Sequence, residues 1–103
     1  MIIHNATFMI DREHEREFVE WFRKVRVGLD PMRSPRLTAM REAGGIDYTQ
    51  AESQSMAFQC EFESREEARR WAAEKLAPVA AAFEELFGPQ AMVFASMFET
   101  VGL

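Results

Sequence analysis

His14-Glu15-Arg16-Glu17-Phe18 begins like the helix of a zinc protease, in which two histidines four residues apart hold the metal and a glutamate activates water. The second histidine is Phe18, so the motif is absent. His4 and His14 are the only histidines among 103 residues. One lies on a strand and one at a helix start, too few for a metal centre, and both read as a helix-cap or core-edge imidazole. The single cysteine, Cys60, cannot close an internal disulfide and sits in an apolar alternating run. It reads as a small buried hydrophobe without a redox role. Glu61, Glu63, Glu66 and Glu67 form an acidic cluster, which a helix cap and a solvated strand edge explain better than a catalytic carboxylate pair. There is no glycine-rich dinucleotide loop, phosphate loop or nucleophile elbow, and no serine or aspartate stands at a telling distance from a histidine. Neither a metal nor a cofactor is expected.

The elements that would position these residues are legible from periodicity. Met1–Asp11, MIIHNATFMID, alternates, with Ile2, His4, Ala6, Phe8 and Ile10 on one face and Ile3, Asn5, Thr7 and Met9 on the other. That pattern predicts a central strand over about Ile2–Ile10 with one face under helices. Asp11 reads as the N-cap of a helix over Arg12–Val27, with acids in the first turns and Arg23, Lys24 and Arg26 in the last. Phe18, Phe22, Val25 and Leu29 make its buried stripe, His14 lies on the same line, and Gly28 is its stop.

Asp30–Arg36 holds two prolines and predicts a loop. A second strand is expected near Leu37–Glu42, with Gly44-Gly45 as either a hairpin or a bulge and an irregular return through Ser53. Gln54–Phe62 is the clearest alternating strand, with Met56, Phe58, Cys60 and Phe62 on one face. Ser64 and Glu67 then form a capping box for a second helix. Its stripe is read as Ala68, Ala72, Leu76, Val79, Phe83 and Leu86, flanked by Trp71 and Phe87. Pro78 should kink or break it. Gly88-Pro89 ends it, and Ala91–Glu99 is the last strand.

A chain of this length builds one domain, residues 1–103, with a core that needs no staples. Hydrophobic residues make up 48% and charged residues 28%, too apolar for disorder. Twelve basic against seventeen acidic residues give a formal charge of −5, which argues against a nucleic-acid partner. No segment approaches a membrane span and the start lacks a secretory pattern, so a cytoplasmic location is expected. The order strand, helix, strand, strand, helix, strand predicts an α+β, ferredoxin-like βαββαβ sandwich. Its four-stranded antiparallel sheet would have strands 1 and 3 central and strands 4 and 2 at the edges.

The opening MIIHNATFMID, the Ser-Arg-Glu-Glu start of the second helix with its Phe87-Gly88 pair, and the phenylalanine-bearing last strand carry a resemblance over nearly the whole chain. The chain resembles a family of small uncharacterised bacterial proteins of about 100 residues, classed as a domain of unknown function. The resemblance implies a ferredoxin-like fold of the dimeric α+β barrel type and brings no activity. More widely, the chain is similar to the antibiotic-biosynthesis monooxygenases and their haem-degrading branch. There a first-strand asparagine, a second-helix tryptophan and a following histidine build the haem site. Asn5 and Trp71 match the first two in type and approximate place, whereas Ala81 stands where the histidine is expected. By this resemblance Asn5 and Trp71 are candidates for holding an aromatic substrate without a cofactor.

On the last strand Met92, Phe94 and Phe98 share one face, and Ala91, Val93, Ala95 and Met97 share the other. Helices can cover only one. The helix-free face, with Ile3, Met9, Asn5, Thr7, Ala57 and Gln59 beside it, is expected to close a homodimer. The leading functional expectation is therefore a small homodimer without a recognisable catalytic site. A cofactor-independent monooxygenase-like or isomerase-like enzyme acting on a small hydrophobic molecule is the first alternative. A module that binds a small ligand or a protein partner is the second.

Overall fold

The computed structural model describes residues 1–41 and 53–103. The alternatives at Gly44-Gly45, and the stretch that joins them to the third strand, lie outside these residues. The chain runs through β1 (Ile2–Asp11), α1 (Glu15–Val25), β2 (Arg33–Ala39), β3 (Ser53–Phe62), α2 (Arg65–Trp71), α3 (Ala77–Phe87) and β4 (Met92–Glu99). Short 3₁₀ turns, Arg12–His14 and Arg26–Leu29, bracket α1, and a π-helical turn, Ala72–Leu76, joins α2 to α3. The strands form one antiparallel sheet in the order β2-β3-β1-β4. The two best alternating segments are thus the central strands, as their patterns predict.

The helices pack on the face that carries the even-numbered residues of β1 and β3. Phe8 is fully buried there, with its ring centroid 5.3 Å from Phe18, 5.6 Å from Phe22 and 5.0 Å from Phe83. Phe58 closes the cluster 4.9 Å from Phe22. Rings at this spacing add a modest attraction to the burial of their area.

Several boundaries differ from those the sequence predicts, among them the end of β2 at Ala39 rather than Glu42 and of α1 at Val25 rather than Val27. The β1 strand extends to Asp11, which pairs with Ser53. Asp11 therefore makes no side-chain cap, and the helix opens through a 3₁₀ turn. The second strand begins at Arg33 rather than Leu37, although Pro35 lies within it. Because β2 is at the sheet edge, a missing N–H is tolerated there. A register shift between Arg33 and Arg36, with Ser34 at φ 50°, absorbs the irregularity. At the second helix, the Ser64 hydroxyl accepts from the Glu67 N–H at 3.2 Å, as the capping box requires. The Glu67 carboxylate reaches back one residue further than expected, to the N–H of Glu63 at 3.2 Å.

Pro78 does interrupt α-helical bonding, but through a π turn rather than a gap. The Ala77 N–H reaches back to the Ala72 carbonyl, and Pro78 sits in the first turn of α3. This turn shifts the buried seam. Five residues separate Trp71 from Leu76, about 140° around an α-helix, yet both are buried because a π turn closes over five residues. Trp71 consequently joins the seam, whereas Leu86 is exposed and Phe87 packs against Trp21 and Phe83 instead.

Candidate functional site

Alternation along β1 separates its chemistry-bearing residues onto two faces. On the helix side, His4 pairs across the ladder with Cys60, and its ring meets Trp71 edge-on with centroids 5.2 Å apart. Trp71 also packs on Phe62 at 5.1 Å, and its indole N–H donates to the Leu29 carbonyl at 2.7 Å. A histidine beside a cysteine could form an activated nucleophile if the thiol ionised. Here the environment works the other way. Burial pushes the Cys60 thiol up to about 12 and lowers the His4 imidazole below its usual value, so both are neutral near pH 7. Desolvation disfavours charge on either group. His4 Nδ1 has no hydrogen-bond partner among the described residues.

Asn5 lies on the opposite, helix-free face. Its amide donates to the Thr7 hydroxyl at 2.9 Å, and its carbonyl oxygen accepts from the Gln59 amide at 3.2 Å. Gln59 in turn accepts from the Arg36 guanidinium through Nε at 3.3 Å and a terminal nitrogen at 3.1 Å. The result is a chain of polar side chains across β1, β3 and β2. The two residues singled out by resemblance are therefore not brought together: the sheet separates Asn5 from Trp71, and the Trp71 N–H is already engaged by backbone.

Beside the Asn5 chain runs an apolar ridge. Register places Phe98 next to Ile3, Phe94 next to Thr7, and Met92 next to Met9. Met92, Phe94 and Phe98 are 45%, 50% and 51% exposed. Met92, Phe94 and Phe98 thus form an apolar strip on the helix-free face, bordered by the hydrogen-bonded Asn5, Thr7 and Gln59 side chains.

A third grouping lies at the junction of β1 and α1, where ligand atoms of Asp11, Glu13 and His14 fall within 4.8 Å of one another. His14 is also 3.5 Å from the Glu13 carboxylate and 3.7 Å from that of Glu17. Exposed Glu13 and half-exposed Asp11 and His14 form a solvated charge cluster. This grouping joins a strand end to a helix start, so no helical metal motif signals it in the sequence. Among the described residues no helix is long and apolar enough to cross a membrane.

A family model described as a domain of unknown function matches residues 1–101. No curated protein matches the chain.

Proposed function

The chain belongs to that family, DUF4286, and we propose that it acts as a homodimer of ferredoxin-like subunits joined through their helix-free sheet faces, in the manner of a dimeric α+β barrel. No catalytic role is assigned to it. The observation that carries this reading is the Met92, Phe94 and Phe98 ridge, half exposed on a face that no helix among the described residues covers.

Four strands at ~4.8 Å spacing and about eight residues at ~3.3 Å give the face a projected footprint of roughly 500 Å². Side-chain relief raises this toward the ~800 Å² per partner of an ordinary stable interface. A two-fold axis brings like surfaces together, so one ridge and one polar strip on each copy suffice. The hydrogen bonds among Asn5, Thr7, Gln59 and Arg36 hold those side chains before association, which lowers the entropy lost at the interface. The enzyme reading receives less support, because it needs Asn5 and Trp71 to line one pocket.

Sedimentation or light scattering at tens of micromolar tests the proposal. The unmodified protein should be a dimer, and Thr7→Lys with Gln59→Lys should yield a folded monomer. The charge-matched pair Val27→Lys with Ala81→Lys, both at exposed helix-side positions, should remain dimeric. A monomeric unmodified protein refutes the assembly, and a dimer that survives the first pair refutes the assigned face.

A further inference from the structure

The helix side of the sheet holds a second feature, independent of the dimer face. The edge strand β2 extends beyond the shelter of α1, leaving a cleft of about 380 Å³ between them. Its floor is apolar: Val19 and Phe22 from α1, Leu37 from β2, and Met56 and Phe58 from β3. Phe22, Met56 and Phe58 belong to the buried core. Its rim is cationic. Arg23 lies in the last turn of α1, Arg26 opens the 3₁₀ turn that follows, and Arg41 follows β2. Among the described residues the lining carries one carboxylate, Glu15, and Arg41 is paired with it while also donating to Gln54 at 3.0 Å. Among the described residues Arg23 and Arg26 have no acidic partner, as is also true of Arg12, Arg36, Arg65 and Arg69, whereas Arg16, Arg33, Arg41 and Arg70 are paired.

We propose that this cleft binds a small carboxylate with a compact apolar body, the body on the Phe22, Met56 and Phe58 floor and the carboxylate at Arg23 and Arg26. Guanidinium groups match carboxylates with paired donors. The volume lies at the small end of ligand sites, which span roughly 300–1,000 Å³. Arginines at a helix end also complement the helix dipole, but that role does not require an apolar cleft beneath them. The local excess of positive charge is notable in a chain whose formal net charge is −5. A bare phosphate would leave the floor unused, and a neutral amphiphile would leave the rim unused.

Titration of the unmodified protein with sodium octanoate, followed by calorimetry and amide chemical shifts, tests the assignment. Saturable binding with shifts centred on Phe22, Leu37, Met56 and Phe58 is expected. Octanol should bind at least about tenfold more weakly, and inorganic phosphate should not saturate the site. Arg23→Glu with Arg26→Glu should weaken octanoate at least about tenfold, and Arg23→Gln with Arg26→Gln should do so to a lesser degree. Arg16→Glu with Lys24→Glu, the same charge change on residues that do not line the cleft, should leave affinity within about twofold. Absence of saturable octanoate binding up to about 10 mM overturns the proposal. Equal affinity for octanol, equal affinity for phosphate, or indifference to both substitutions at Arg23 and Arg26 does so as well.

Discussion

Lowering the pH from 7.5 to 5.5 should weaken the fold through His4. Burial holds the folded imidazole below its ordinary value of 6.5, with desolvation as the cause. In the unfolded chain the group titrates near 6.5, so below that pH the unfolded state takes up a proton that the folded state refuses. Stability is therefore unaffected by this group above about pH 7, falls as pH drops through 6.5, and stops falling below the folded value. If the folded imidazole remains neutral at pH 5.5, the unfolded state gains RT ln 11, about 1.4 kcal/mol, and this is the ceiling. The groups around His4 offer no rescue. Cys60 opposite it is neutral, Trp71 donates elsewhere, and Met97 on β4 is uncharged. The measurement is urea unfolding at both pH values and one fixed protein concentration, for the unmodified protein and for His4→Leu. Contributions from His14 and the carboxylates are common to both and cancel in the difference. The unmodified protein should lose up to about 1.4 kcal/mol more than His4→Leu, or roughly 4–8 °C in Tm per kcal/mol. Equal losses in the two proteins would refute the view that His4 is neutral because it is buried.

Trp71→Phe should cost about 1–3 kcal/mol, because it strips the Leu29 carbonyl of its 2.7 Å donor inside the core; a loss below about 0.5 kcal/mol in urea unfolding would show that the bond does not anchor the helix. Gly88→Ala should cost about 1–3 kcal/mol, since a Cβ there would stand 2.6 Å from the backbone oxygen of Glu84. An unchanged Tm would mean that the helix end shifts freely.

The sequence was most informative where one physical requirement governs a whole element. In β1 and β3 one face must be apolar and the next residue must point away, so parity alone identifies the core residues Phe8, Met56, Phe58 and Cys60. Ser64 was legible as a cap because its partner lies three residues away. The early start of β2 was hidden because prolines break most strands and only an edge position excuses them, and the edge is a property of the assembled sheet. The burial of Trp71 was hidden for a similar reason. A π turn changes the period at one place, and a search at 3.6 residues selects Leu86 while leaving Trp71 on the flank. Of the candidate site, the opposite parities of Asn5 and His4 were readable, but not that Trp71 sits on the His4 side. The cleft beneath Arg23 and Arg26 depends on where α1 ends relative to β2, a distance that no local pattern encodes.

The pairing of β1 with β4 also sets an order of events during synthesis. Ile2 meets Glu99 and Met9 meets Met92, so a central strand must wait for nearly all the described chain before its second edge is filled. Until then β3 can pair on one side, while the other presents an open row of backbone donors and acceptors beside apolar side chains. A sheet closed by contacts so distant in sequence also folds slowly for its size. The nascent protein is therefore most open to misassociation at a stage when its helices can already form, and completing β4 removes the exposed edge of β1.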